Sequence, residues 1–493
     1  MLRLFKRLLW LVGGFVALFI VLLAVYMLRL WTTDWSEAAR DDIEAWHTMI
    51  KEHHPGPVDQ ETPAFAQIME TARREALLLA ERAENRAGYR WSMERYKAIH
   101  DDPHLHGWAI GLPDLGVEHW FGRYDWPGFY AGIEKGSDGE TVMRVTAAGG
   151  GFETGDVIVS CDGRDISDWL DETIFAFRGS GIPARARAAA PWLFTKHGNP
   201  FIASPQSCRV AGTEVERKLI WASISAADWK AGAPGQRGSR RSFGFKITAD
   251  TAWITIPTFN NSRADSLQEL SESIQSNTDA IRSAKLVILD IRGNGGGNSA
   301  WGRLFSRNIW SSEYVEAFWR TGAQAVDWRL SQDNVEHVHG IAKENLENDL
   351  ASGPAWARLA EDMEKAFSNG ETLYRQTFTQ RQPARNVISP VSGKVIVLMD
   401  SACGSSCLDF LDLVTSFENV LLVGEETGAD TNYIDVRGVF LPGYRFRVSI
   451  PLKVYRGRIR PNGGSYLPTL TFPVDLDQED EEAVIAWLKT ALH

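Results

Sequence analysis

Past its N-terminus the 493-residue sequence has no long basic tract, and its formal net charge is −11. A chain with that balance lacks the electrostatic footprint of a nucleic-acid binder, so no nucleic-acid partner is expected. Cysteine is scarce, four residues in all, which excludes a small disulfide-stapled scaffold. No cysteine or carboxylate is clearly placed to complete a metal site with His100, His104 and His106, so no metal is expected. What is abundant is apolar residue, 44% of the chain, enough for more than one core and for two or three domains. The nineteen tryptophans are scattered and read as packing.

Leu8 to Leu28, LLWLVGGFVALFIVLLAVYML, is an uncharged apolar run of the length a helix needs to cross about 30 Å of hydrocarbon. Arg3, Lys6 and Arg7 precede it and only Arg29 follows closely, so the basic side keeps the N-terminus in the cytoplasm and sends the rest across. Val25, Tyr26, Met27 and Leu28 stand where a small-residue cleavage site would close a signal peptide. Residues 1–33 are therefore expected to be a cytoplasmic stub and an uncleaved transmembrane anchor.

From 34 to 112 the chain reads as helical. WSEAARDDIEAWHTMIKEHHP and PAFAQIMETARREALLLAERAENRAGYRWSMERYKAI space their apolar residues at the helical period. The pattern stops at HDDPHLHG, 100–107, which puts three histidines on a turn before the strand-like WAIGL. VMRVTAAGGGFETGDVIVSCDGRDISDW, 142–169, then supplies strand, glycine turn, strand and an Asp162-Gly163 turn. That stretch resembles a bacterial PDZ domain, whose G-x-x-x-G-D-x-I-x-x-x-x-G core it matches. The resemblance implies a PDZ-like domain over 113–190 that captures an extended peptide beside a sheet edge.

After a β-rich passage and an amphipathic helix comes LVILDIRGNGGGNSAWGRLF, 286–305. Its continuous apolar start predicts a strand buried on both faces, ending in Asp290, Arg292 and a glycine loop before a helix. The loop fails the dinucleotide fingerprint, because Asn298 stands where the third glycine belongs, and no lysine follows to make a phosphate loop. No cofactor is implied. Bare glycines at such a turn still serve to aim backbone N–H groups at a developing negative charge, or simply to make a tight turn. The architecture repeats at 394–428, as strand KVIVLMD, turn SACGSSC, helix LDFLDLVTSF and strand VLLVGEETG. Ser405 or Ser406 then lies near a helix N-terminus, either as a nucleophile or as a plain N-cap.

Taken in order, these parts resemble the carboxyl-terminal-processing, or tail-specific, serine peptidases over about 36–475, with their D-x-R-x-N-x-G-G strand end and S-A-S/A-E-x-F nucleophile motif. The resemblance implies an α/β fold with a crotonase-like (ClpP/crotonase) ββα core. That core would be built from 205–306 and 386–493, interrupted by a helical insertion at 307–385. It makes Ser405 the nucleophile, five residues before Phe410 and nineteen before Gly424 of the V-G-E-x-T marker. It also gathers Gly295, Gly296 and Gly297 with the backbone N–H of Ser406 into an oxyanion hole. The lysine base of the processing branch, twenty-five residues after the serine, is missing: Asp430 stands there, and GEETGADTNY has no lysine. The family's glutamate three residues after the nucleophile is replaced by Leu408.

A serine must lose its proton to a neighbouring base, and histidine titrates closest to neutral. The tricorn-core branch carries D-G-H-x before the PDZ region. Asp102-Pro103-His104 matches it with proline for glycine, implying His104 as the base, with His106 in reserve. That branch's glutamate, in an E-G-x-G-x-x-P context, corresponds to Asn462 of RPNGGSYLP, an uncharged group that would hold the imidazole by a hydrogen bond.

The expected protein is thus a membrane-anchored serine endopeptidase acting on a peptide or protein substrate through an acyl-enzyme. It would span the bacterial inner membrane once, with its catalytic part in the periplasm. Two other readings stay open: an inactive relative that binds peptides through its PDZ-like domain, and a ligand-binding or acyl-transfer protein on the same fold. In an exported chain the cysteines pair best as Cys403 with Cys407, flanking the nucleophile turn, and Cys161 with Cys208, joining two β-rich segments. The alternative is that all four are small buried apolar residues. Nothing in the sequence sets an oligomeric state.

Overall fold

Three helices, α1 (Trp35–His53), α2 (Phe65–Ala80) and α3 (Arg86–His100), pack through the apolar stripes that their sequence spacing creates. This is seen in a computed structural model that describes residues 14–15, 21, 32–110, 123–135, 141–233, 241–248, 250–318, 323–347, 352–378, 387–473 and 476–492. The run expected to be an anchor lies outside the described residues, save Gly14, Phe15 and Val21. Among the described residues no helix is long and apolar enough to cross a membrane. Asp34 caps α1 by accepting from Glu37 N–H, and Asn85 caps α3 by accepting from Gly88 N–H. Helix α3 ends at Asp101, whose left-handed backbone (φ 47°) turns the chain into the histidine segment and then β1 (Gly107–Ala109).

A β module follows, built of β2 (Arg123–Trp126), β3 (Tyr130–Lys135), β4 (Thr141–Ala147), β5 (Val157–Cys161), β6 (Ser207–Val210), β7 (Glu216–Lys218) and β8 (Ala222–Ser225). Strands β3 to β7 form an antiparallel sheet in chain order, and β2 pairs with β8. Cys161 and Cys208 are register partners on β5 and β6 and are joined by a disulfide. The module therefore continues past 190, the boundary set from the sequence, because β6 and β7 complete its sheet. Residues 207–225, assigned to the peptidase core on sequence, belong to this module instead.

The next sheet positions the site. It comprises β9 (Gly244–Ile247), β10 (Thr251–Thr255), β11 (Leu286–Asp290), β14 (Lys394–Met399) and β15 (Val420–Gly424), in that order, parallel from β10 onward. The apolar run of β11 is buried on both faces. Val287 and Leu289 join a core with Leu267 of α4 (Ala264–Ser276), Phe305 of α5 (Ser299–Trp310) and Leu411 of α8 (Ser406–Val414). Leu286 and Ile288 join Val484 and Leu488 of α9 (Glu481–Ala491).

The insertion at 307–385, expected to be helical, contains helices α6 (Gln332–Glu347) and α7 (Gly353–Ser368) but also strands β12 (Ala325–Arg329) and β13 (Leu373–Thr377). These strands exist because a distant edge awaits them. β17 (Phe446–Arg456) pairs along one side with β1 and then β12, and along the other with β16 (Tyr433–Phe440). One long strand thus brings the histidine segment, the insertion and the last part of the core together.

Candidate active site

The loops that follow β11, β14 and β15 leave the parallel sheet at the same end, as strands of a parallel sheet require. Asp400, just past β14, ties two of them: its Oδ2 accepts from Gly293 N–H (2.9 Å) and its Oδ1 from Ala402 N–H (3.1 Å). Burial pushes this carboxyl up to about 6 against those two amide bonds, with Glu425 adding to the rise. Asn294, fully buried, fixes the glycine loop by donating to the Ile256 carbonyl (3.0 Å) and accepting from Gly296 N–H (2.9 Å). Gly296 sits at φ 97°, and a β-carbon there would lie 2.7 Å from the Gly404 oxygen, 2.8 Å from Ser405 Cβ and 3.0 Å from Ser406 N. Glycine is needed so that the loop can lie against the serines.

Ser405 occupies the N-cap position of α8, but at φ 54° and ψ −127° its side chain makes no capping bond. The plain N-cap reading therefore falls: a capping serine sits in extended backbone and accepts from the helix's first amides. A non-glycine residue at positive φ is strained and needs its surroundings to hold it. One such hold is direct, because Ser405 N–H donates to Asp430 Oδ1 (3.2 Å). The turn is also spanned by a Cys403–Cys407 disulfide whose two residues are fully buried.

The histidine turn reaches the same place through the neighbouring residue. Thr431 Oγ1 donates to Asp102 Oδ1 (2.9 Å), and the same oxygen accepts from His104 N–H (2.9 Å). Asp102 Oδ2 faces His54 Nε2 at 3.8 Å. His54 Nδ1 accepts from Gly56 N–H (2.9 Å), so its proton is on the Nε2 that faces Asp102. Burial alone would raise Asp102, but His54, His104 and the His104 amide outweigh it and hold the carboxyl below its ordinary value. Burial lowers His54 and keeps it neutral.

Residues 250–448 match peptidase family S41. This part of the chain belongs to that family. It is a serine-type peptidase domain. The solved structure of mature CPAF complexed with lactacystin is 16% identical over 93% of this chain and 98% of that one, with a TM-score of 0.53, a likeness of fold. The photosystem II D1 C-terminal processing protease is 14% identical over 92% of this chain and 96% of its own (TM-score 0.31). The tricorn protease is 13% identical over 88% of this chain and 34% of its own (TM-score 0.36). No curated protein sequence matches the chain.

Within the S41 domain and its surroundings, the residues singled out from the sequence divide. The glycine loop lies against Ser405 and Ser406, but Gly296 N–H is taken by Asn294. Among the described residues, the amides of Gly295, Gly297 and Ser406 have no such partner. His104 is buried with its Nδ1 unpartnered, and no hydrogen bond joins it to Ser405. His106 is engaged elsewhere, its Nδ1 on the Pro103 carbonyl (3.1 Å) and its ring stacked on Trp108. His100 donates to the Tyr96 carbonyl, and burial lowers it to about 4. Asn462 Oδ1 accepts from Asn432 N–H (2.7 Å), and no hydrogen bond joins it to His104. Asp400 and Thr431 were not singled out by sequence reasoning, whereas Asp102 and Asn294 entered only as positions of the D-G-H-x and D-x-R-x-N-x-G-G motifs, with no role assigned. The only signal for Asp400 was a polar residue closing an apolar run.

Proposed function

We propose that this chain is a membrane-anchored endopeptidase in which Ser405 Oγ attacks the scissile carbonyl while His104 takes its proton. The oxyanion of the tetrahedral intermediate would be held by the N–H groups of Gly295, Gly297 and Ser406. His104 then protonates the leaving amine, and water resolves the acyl-enzyme by the same route in reverse. The observation that carries this reading is the strained, non-capping Ser405 packed against a bare glycine loop at the start of a helix. Asp102, through its bond to the His104 amide, takes the positioning part that the sequence-based reading gave to Asn462: it holds the histidine turn.

The core is read as crotonase-like and the β module as a PDZ-like peptide-capturing domain. The apolar run at Leu8–Leu28 with its basic flank, and two disulfides, support an anchored chain whose catalytic part lies outside the cytoplasm. Covalent labelling by a fluorophosphonate tests the chemistry. Wild type should be labelled, and both Ser405→Ala and His104→Ala should lose the label. Unlabelled wild type that still binds peptides would mean an inactive relative instead.

A further inference from the structure

We propose that Asp430 and Thr431 are a positioning pair that sets the nucleophile and the histidine turn in register, with Asp430 gripping the backbone of Ser405 where the processing branch carries its lysine. This rests on the reading of Ser405 and His104 as nucleophile and base. The grip is made by a group that cannot swing. Asp430 is 3% exposed, its carbonyl accepts from Gly463 N–H (2.8 Å), and it bridges Gly464 across two extended segments. Its Oδ2 lies 3.8 Å from Arg460, whose Nε donates to Asp412 (2.9 Å). An anionic acceptor on an amide is stronger than a neutral one, which suits the task of holding a residue at φ 54°. Lysine at this place could donate to the serine oxygen. A carboxylate accepts from the serine amide instead, which leaves the oxyanion to Ser406 and the glycine loop.

Thr431 works from the next position in the chain. It is 7% exposed, and its hydroxyl accepts from Tyr433 N–H (3.3 Å) while donating to Asp102, the carboxylate that also takes His104 N–H. Ser405 and the His104 turn, three hundred residues apart in sequence, are therefore each one hydrogen bond or two from a single dipeptide. Any shift of that dipeptide moves both.

The test uses the full chain, measuring the rate of fluorophosphonate labelling and the kcat and KM for fluorescein-labelled casein, with thermal midpoints as the control for folding. Asp430→Ala should slow labelling and kcat by about 100-fold with KM nearly unchanged, as misplacement of a reacting group does. Asp430→Asn keeps an acceptor for Ser405 N–H and should recover to within about tenfold of wild type. Thr431→Val should slow both rates, Thr431→Ser should restore them, and the Asp430→Ala/Thr431→Val double variant should lose less than the product of the two single losses. Asp430→Asn as dead as Asp430→Ala, with its midpoint intact, overturns the proposal in favour of Asp430 as a proton acceptor. Asp430→Ala or Thr431→Val at the wild-type rate overturns it outright. Should Asp430→Ala not fold, the valine and serine variants at 431 decide alone. Wild type that takes no label, or His104→Ala that is labelled normally, overturns the underlying function and this inference with it. A labelled wild type with indifferent 430 and 431 variants overturns only the inference.

Discussion

Asp400 joins the glycine loop to the serine turn through one carboxylate, and this makes a measurable prediction about stability against pH. The groups that face it are the amides of Gly293 and Ala402, the carboxylate of Glu425 and the guanidinium of Arg292. Arg292 is engaged with Asp290 through two bonds of 2.8 and 2.6 Å, so it does little to offset the burial of Asp400. The carboxyl consequently titrates at about 6 in the native protein, against an ordinary value of 3.8. The folded state holds this proton more tightly than the unfolded chain does. The stability it contributes is therefore fully present below the ordinary value and is lost as pH rises through 6. At about 1.4 kcal/mol per tenfold, that difference costs the native state about 3 kcal/mol by neutral pH.

Asp400→Asn removes the titration. Asparagine keeps one acceptor but turns an NH2 group against the other amide, which shifts stability by the same amount at every pH. The pH-dependent part isolates Asp400: stability of the variant relative to wild type should rise by about 2.5 kcal/mol between pH 4 and pH 7.5, because part of the loss has already set in at pH 4. Guanidinium unfolding followed by tryptophan fluorescence at several pH values measures it. Parallel stability curves for the two proteins would refute the reasoning, because they would mean that Asp400 is no harder to ionise in the fold than out of it.

Gly296→Ala should cut the rate of fluorophosphonate labelling by about 100-fold, since a β-carbon 2.7 Å from the Gly404 oxygen must push the glycine loop off the serines. An unchanged labelling rate would show that the loop has room to give. Replacing both cysteines of a pair by serine should cost about 4 kcal/mol for Cys161–Cys208, which closes a long loop (separation 47), and about 2 kcal/mol for Cys403–Cys407 (separation 4). The order of the two losses in chemical denaturation is the check. Arg456→Met should destabilise by about 3–5 kcal/mol, because Arg456 is bonded to Asp59 (2.8 Å) and Asp327 (2.7 Å), and its loss strands the buried carboxylate of Asp59 while leaving Asp327 to Arg375 alone. A loss below about 1 kcal/mol in the same assay would show that the carboxylates take up protons at little cost.

Much of the core sheet was legible because its strands are written as uninterrupted apolar runs. LVILD and KVIVLM are buried on both faces, and no other element tolerates such a run at that length. Strands β12 and β13 were not legible. AVDWR and LYRQT are short and half polar, and become strands only because β17 offers an edge more than a hundred residues later in the case of β12. The module boundary near 190 failed for the same reason, since β6 is claimed by β5 and its disulfide across 47 residues of chain. Periodicity reports what a segment does with its own faces and is silent about which distant edge will take it.

The site divides along the same line. Two strand, turn and helix repeats placed the glycine loop and the serines as candidates, and the packing of Gly296 on Ser405 accounts for why glycine stands there. Asn462 had the right spacing, but spacing does not say which way an amide points, and here it takes Asn432 N–H. The missing lysine is the sharper case. From the sequence, aspartate at 430 reads as the loss of a base; in the fold it is the gain of an acceptor for the amide of Ser405. A residue type argues for chemistry only together with the atom it meets. Exchanging a donor for an acceptor beside Ser405 removes the lysine route for the serine proton, and in the proposed mechanism that proton leaves instead by way of the histidine turn that Thr431 and Asp102 hold in place.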